Sequence, residues 1–446
     1  MQSNCSLGTT VTSARPKRGG RWAVASVLAV GLLASACGSS SSSGGSSSST
    51  STASTGSGGT TGSGSVAGDT TGVTASTINI GEIADVSGPV PGLFQGAQYG
   101  IQAWAAYANA NGGIDGRKIN VTLKDSALSC PAYTTALASL AGSSFASVGT
   151  YAIFDSCGKA TLTKTPNFAD IQGAVLTPSM NTLSNVFTPL PSPLGFASTG
   201  YQYIKDVYPS AITHTAALYG AAVTTDYDEQ SNAAKSIGYK YVYSRGLGIT
   251  ETNFTSDVLR MKADGVQIVD MQDTDAIEVA DFLQEAKQQN LHLDALISAA
   301  AYDPNFFKDL GSSGDASSLV MPLPVALYLD PTSTIPNVQA FNKYLTATHP
   351  GAKANLYAVE AFAAGLLFQQ AMAAAGPNPS RSALLAQLSK ITSFDAGGMI
   401  GPTNPGGKVP GVCDVIAGVK NGAFVREAPA SGFECKGTFV PYTASS

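Results

Sequence analysis

Ile78-Asn79-Ile80-Gly81-Glu82-Ile83 alternates apolar with polar or small residues and runs into the turn Ser87-Gly88-Pro89. Alternation at period two is the pattern of a strand. Beyond the turn, Ala97, Ile101, Trp104 and Ala108 recur on one face of a helix that stops at Gly112-Gly113, and Ile119, Val121 and Leu123 alternate again. Strand, helix and strand in this order make a βαβ unit, which decides for a parallel sheet. Working outward, residues 131–140 read as a helix, 147–154 as a strand and 173–177 as a short buried strand stopped by Pro178. The pattern then begins afresh, with strands at 215–219, 239–244, 266–271 and 295–298. The helix 226–237 and those carrying Phe254, Val258, Met261 and Ala276, Val279, Ala280, Leu283 separate them. Two such runs predict an α/β protein of two doubly wound lobes. The last part breaks the rhythm, with helices at 338–348 and 356–375 and a hairpin, 414–419 and 423–426, around Asn421-Gly422. Asn-Gly favours the type I′ turn. In a two-lobed protein these late elements return the chain to complete each sheet.

The N-terminal part has a different composition. Arg15, Lys17, Arg18 and Arg21 precede the apolar run 22–33, which leads into Ala34-Ser35-Ala36-Cys37. A basic segment, a short apolar run and small residues before the cut predict a secretory signal over residues 1–36. The Cys after small residues resembles a bacterial lipobox, in which Cys37 becomes the lipid-modified new N-terminus, although Ala34 stands where Leu, Val or Ile is preferred. Between Gly38 and Gly72, 31 of 35 residues are Ser, Thr or Gly. Such a stretch buries too little apolar surface to offset its ordering entropy, so residues 37–76 are expected to form a lipidated N-terminus and a flexible tether. Its root-mean-square reach is about 30–35 Å, enough to hold a folded body off a membrane surface.

Residues 37–446 carry 21 basic and 30 acidic side chains, a balance of −9, with no basic patch to drive nucleic-acid binding. Apart from Cys5 in the leader and Cys37, four cysteines remain: Cys130, Cys157, Cys413 and Cys435. In an exported protein they suggest two disulfides with three possible connectivities. The sequence-local choice is Cys130–Cys157 with Cys413–Cys435, each bond contributing on the order of 3 kcal/mol in the chain-entropy model. Neither Cys-x-x-Cys nor a nearby His supports a metal site, since His214, His292 and His349 are scattered. Metals and cofactors are not expected. The sequence holds no G-x-S-x-G, no G-x-x-x-x-G-K-[ST] and no H-E-x-x-H. Gly112-Gly113-Ile114-Asp115-Gly116 follows a helix and precedes a strand, the reverse of a dinucleotide loop.

Ser87-Gly88-Pro89-Val90, a helix, and then Asn109-Ala110-Asn111-Gly112-Gly113-Ile114-Asp115-Gly116-Arg117 resemble the opening of the leucine/isoleucine/valine-binding proteins, the type 1 periplasmic receptors of ABC importers. The likeness extends from Ile78 to the hairpin near Arg426. It implies two doubly wound parallel-sheet lobes joined by a three-segment hinge, the type 1 periplasmic-binding-protein fold. The first lobe would take 77–199 and 327–411, the second 200–326 and 412–446. Cys130 and Cys157 fall where the family has its first-lobe disulfide, and Pro178 keeps the family spacing.

The resemblance also implies a site. After Pro178 come Ser179, Met180 and Asn181. The family's carboxylate-binding Ser is Gly158 here, which leaves a backbone N–H. The family's early aromatic is replaced by Leu93, with Phe94 beside it. In the second lobe Thr225, Tyr227 and Asp275 fall near binding positions. The acid that would pair with a ligand ammonium aligns with Ala300, beside Tyr302 and Asp303. The expected function is a non-enzymatic, monomeric, lipid-anchored extracytoplasmic receptor that delivers a small polar organic molecule (an amino acid, amide or related acid) to an ABC permease. A ligand sensor on the same fold is the alternative, and a cell-envelope hydrolase is more distant.

Overall fold

The computed structural model describes residues 68–221, 224–248 and 251–443. The signal, Cys37 and the tether up to residue 67 lie outside these residues. Chain order begins β1 (Thr77–Ala84), α1 (Gln95–Ala110), β2 (Lys118–Asp125), α2 (Cys130–Ser143), β3 (Ala146–Thr150), α3 (Lys159–Lys164), β4 (Ala169–Gln172) and β5 (Val186–Phe187). These strands make one sheet of order β2-β1-β3-β4-β5 with every pairing parallel. Their carboxyl ends therefore share one edge.

After β6 (Gly195–Ala197) and α4 (Thr199–Val207) come β7 (Thr215–Gly220), α5 (Thr224–Ser236), β8 (Tyr241–Leu247) and α6 (Thr255–Ala263). Then follow β9 (Ile268–Gln272), α7 (Ala276–Gln288), β10 (Ala295–Ile297), α8 (Phe306–Leu310) and β11 (Leu319–Leu323). The chain next runs through α9 (Pro336–Thr348), α10 (Leu356–Ala375) and α11 (Arg381–Leu388), which pack on the first sheet's helices and strands. It ends with β12 (Val415–Lys420), β13 (Ala423–Ala428) and β14 (Phe439–Pro441). The second sheet has the order β13-β12-β11-β10-β9-β7-β8, with every pairing parallel except those of β12 with β11 and with β13. Two doubly wound sheets, with the late hairpin completing the second, agree with the sequence expectation. Asn421 and Gly422, at φ 53° and 71°, make the expected turn. The pairing of β14 with β6 has no counterpart in the sequence reading.

Helix α10 is long and apolar enough to cross a membrane, but it lies against α1 and β3 with two-thirds of its most apolar window buried. A helix apolar on all sides is a core helix when neighbours cover it. Close approach is what seats it. A Cβ at Gly100 would stand 2.1 Å from the Ala358 carbonyl oxygen, and one at Gly365 would stand 2.2 Å from the Trp104 ring. These glycines let α1 and α10 meet backbone to backbone, which fixes the first turns of α10 beside β3.

Cys130 is bonded to Cys157 and Cys413 to Cys435, with Cα separations of 5.5 and 4.2 Å. The tether expectation needs correction at its C-terminal end. Asp69 pairs with the buried Arg381 at 3.0 Å, Asn79 N donates to Gly72 O, and Val73 bridges Ile78. The guanidinium of Arg381 also donates to the Ala141 carbonyl. The chain from Asp69 on is thus docked on the first sheet, because a buried arginine needs an anionic partner.

Candidate functional site

Loops that follow parallel strands gather at the carboxyl edge of the sheet. At the first edge they hold a compact aromatic group. Phe94 precedes α1, Tyr151 follows β3 and Tyr357 opens α10. Their ring centroids are 4.5 Å (Phe94–Tyr151), 4.9 Å (Phe94–Tyr357) and 5.0 Å (Tyr151–Tyr357) apart. Such separations bring the stabilisation of edge and tilted ring contacts on top of buried area. One turn further along α10, Glu360 is 5% exposed and lies close to the Tyr151 phenol. Burial pushes its carboxyl up to about 8, against the smaller opposing effect of the Tyr151 hydroxyl. Its Oε2 has no hydrogen-bond partner. A hollow of about 410 Å3 beside the chain crossing after β11 is lined by Tyr328, whose phenol feels both Glu360 and Tyr357.

The same edge is rich in carboxylates that bind the chain's own backbone. Asp85 accepts from Leu128 N at 3.0 Å, Ile153 N at 2.8 Å and Ser126 Oγ at 2.6 Å. Asp125 accepts from Val86 N, Ser87 N and Ala127 N. Asp155 takes Leu176 N at 3.0 Å and Thr177 N at 3.1 Å, while burial raises its pKa. The second edge repeats the arrangement. Asp275 caps α7 in a capping box with Glu278, Asp303 accepts from Asn305 N at 2.7 Å, and Glu251 accepts from Thr252 N and Asn253 N. Tyr357 lies within electrostatic reach of carboxylates at both edges. Its phenol is raised to about 12 by burial, and after that by the charges of Glu360, Asp275 and Asp303.

Phe94 alone among the sequence candidates joins the aromatic group. Gly158 is buried where a side chain would press into Leu137 and Tyr133, so packing of the disulfide turn on α2 requires glycine there. Ser179 is exposed, and the Asn181 amide donates to the Ser192 carbonyl at 2.8 Å. Two candidates are corrected. Met180 is wholly buried beside Tyr133, Leu137 and Leu162, which leaves it no surface for a ligand. Tyr302 is 3% exposed, packs against Phe424 and Tyr328, and accepts from Leu329 N through its hydroxyl. Thr225 is exposed near the start of α5, and Tyr227 stacks on Tyr219 at 3.9 Å with its hydroxyl 3.0 Å from Ser244 Oγ. Asp275 serves the cap of α7, its Oδ1 accepting from Glu278 N at 2.8 Å.

Tyr151, Tyr357 and Glu360 escaped the sequence reading. A signal for Glu360 was present: it is the sole charged residue in the 20 residues of α10. Among the described residues no group of three His, Cys, Asp or Glu side chains is placed to hold a metal ion.

The periplasmic binding protein family model matches residues 77–422. No curated protein matches the sequence. Among solved structures, a fatty acid ABC transporter substrate-binding protein from Thermomonospora curvata is similar at TM-score 0.65 and 15% identity, over 82% of this chain and 95% of that one. A branched-chain amino acid transporter substrate binding protein from Streptococcus pneumoniae, in complex with isoleucine, gives 0.62 and 16%, over 81% and 100%. A solute binding protein of an ABC transporter from R. palustris, in complex with benzoate, gives 0.61 and 17%, over 81% and 97%. At such identities the likeness is one of fold.

Proposed function

The chain belongs to the periplasmic binding protein family, and from that membership we propose a lipid-anchored receptor that captures a small polar organic solute between two lobes and hands it to an ABC import permease. The family match across both sheets, residues 77–422, carries this reading. We assign residues 77–199 and 327–411 to the first lobe and residues 200–326 and 412–446 to the second. The change of sheet after β5, after β11 and before β12 supports those borders. Ligand then lies between the carboxyl edges, and its contacts with both favour a closed form by hinge motion. The receptor binds without turnover, acts as a monomer and uses no cofactor or metal. Structures that are similar in fold are named for a fatty acid, isoleucine and benzoate. This range suits a scaffold that keeps an apolar floor, here Phe94, Tyr151 and Tyr357, and varies the polar groups above it.

Cys37 is the proposed lipid site, so Cys37→Ala releases the protein from membranes and leaves solute binding intact. A melting screen against amino acids, amides, amines and acids tests the receptor reading, with X-ray scattering on each compound that stabilises the chain. Stabilisation accompanied by a smaller radius of gyration is expected. A compound that is consumed with formation of a product would overturn the reading.

A further inference from the structure

We propose that Tyr328, gripped by Tyr302 from the second lobe and by Asn342 from the first, is the residue that holds the lobes at the angle of this structure. The inference rests on the receptor reading and names the device that sets how readily such a receptor opens.

Under the lobe borders given above the chain changes lobes three times, and the crossings are bonded to one another. Ala326 N donates to Met399 O at 2.9 Å and Gly401 N to Pro324 O at 2.8 Å, so the second and third crossings run as a two-stranded ribbon. Thr403 Oγ1 donates to Pro189 O at 2.7 Å and ties the third crossing to the first. A narrow ribbon of this kind places the hinge but leaves its angle free, because a few residues absorb the change in backbone dihedrals. Contacts outside the ribbon have to set the angle.

Tyr328 stands two residues past the ribbon, on the chain entering the first lobe. Its hydroxyl donates to Tyr302 O at 3.0 Å, and the next amide, Leu329 N, donates to the Tyr302 hydroxyl at 3.1 Å. The two rings meet edge to face at 5.0 Å, and Phe424 of β13 closes on Tyr302 at 4.8 Å. Tyr302 follows β10, so these contacts fasten the crossing to the carboxyl edge of the second sheet. From the other side, Asn342 donates its amide to Tyr328 O at 2.9 Å. Asn342 lies on α9, which packs on α1 of the first lobe. One residue is therefore bonded to both lobes, and rotation that parts the two carboxyl edges breaks one grip or the other. Both tyrosines are 3% exposed. Hydrogen bonds lost at buried groups are expensive to leave unmade, so the intact grip resists parting. The hollow of about 410 Å3 between residues 328–333 and α9 gives this segment room to shift once a grip is lost.

Tyr302→Phe and Tyr328→Phe each delete one of the two hydroxyls and keep the ring contacts. The control is Tyr239→Phe, which deletes a buried hydroxyl that donates to Tyr201 O at 2.8 Å within the second lobe. X-ray scattering of the full chain without additive is expected to give both grip variants a larger radius of gyration than the parent. Tyr239→Phe keeps the parent radius although it too loses a buried hydrogen bond. Isoleucine and benzoate serve as probes of release. A probe that binds the parent leaves each grip variant about 3- to 10-fold faster, at an unchanged association rate and with no such change in the control. A radius unchanged in both grip variants, an equal increase in Tyr239→Phe, or an unchanged release rate would overturn the proposal while leaving the receptor reading standing. Conversion of either probe to product would overturn the receptor reading, and the scattering comparison would still decide on the grip.

Discussion

The two carboxyl edges are built alike and finished differently. At the first edge the aromatic floor is buried: Phe94 and Tyr151 are 4% and 5% exposed, and Glu360 is sealed beneath them. At the second, Asp275 is exposed and Asp303 half-buried, on loops whose local order comes from their own capping bonds. The floor is held by tertiary packing of α1, β3 and α10, whereas the rim is held by bonds over two or three residues. Substitutions in the floor should therefore cost stability first, and substitutions in the rim should cost binding first.

The largest effect that sharpens this contrast is expected for Phe94→Ala. Removing a buried aromatic typically costs about 3–5 kcal/mol, and chemical denaturation should show a loss of that order. A loss below about 1 kcal/mol would place Phe94 with the rim.

Next is Glu360→Gln, read against pH. The folded chain keeps this proton up to about pH 8, while an unfolded Glu loses it near pH 4.3. Between those values the folded state binds more protons, so stability falls as pH rises. Gln removes that slope. The variant should match the parent near pH 4 and exceed it at pH 8 by on the order of a few kcal/mol. Asp414 and Asp170, raised by burial to about 7 and about 6, contribute slopes of the same sign to both proteins. Equal pH profiles in melting would mean that Glu360 is ionised in the folded chain.

The smallest effect lies on the rim. Asp275→Ala should cost about 1 kcal/mol through the lost cap, and Asp275→Asn only a few tenths. A cost for Asp275→Asn as large as for Asp275→Ala, measured without ligand, would show that the charge itself supports the fold.

The same division explains what could be read in the sequence. Periodicity located the strands and helices because each is a local pattern, and Asn421-Gly422 fixed its hairpin by turn chemistry alone. Where an apolar run is held by distant groups, the pattern misled. Residues 173–177 read as a strand, but β4 ends at Gln172 and the run continues as a loop tied by Asp155 to Leu176 N and Thr177 N. The expected strand 147–154 stops at Thr150, and Ile153 and Phe154 are about two-fifths exposed, at 41% and 40%. The docked segment from Asp69 was hidden by its Ser/Thr/Gly composition, since its anchor, Arg381, lies far along the chain. For the site, family spacing pointed to 179–181, where Met180 serves the core, the Asn181 amide donates to the Ser192 carbonyl and Ser179 stays exposed. Tyr151, Tyr357 and Glu360 meet only because Gly100 and Gly365 let α10 close on α1, a contact between segments distant in sequence.

Capture without chemistry is the central claim, and native mass spectrometry tests it most directly. The full chain is incubated with whichever solute raises its melting temperature most, and the solute is quantified after the protein is denatured. The account predicts one intact molecule per chain, recovered unchanged, with a smaller radius of gyration for the complex. Solute depleted beyond one equivalent, or recovered as a different mass, would contradict it.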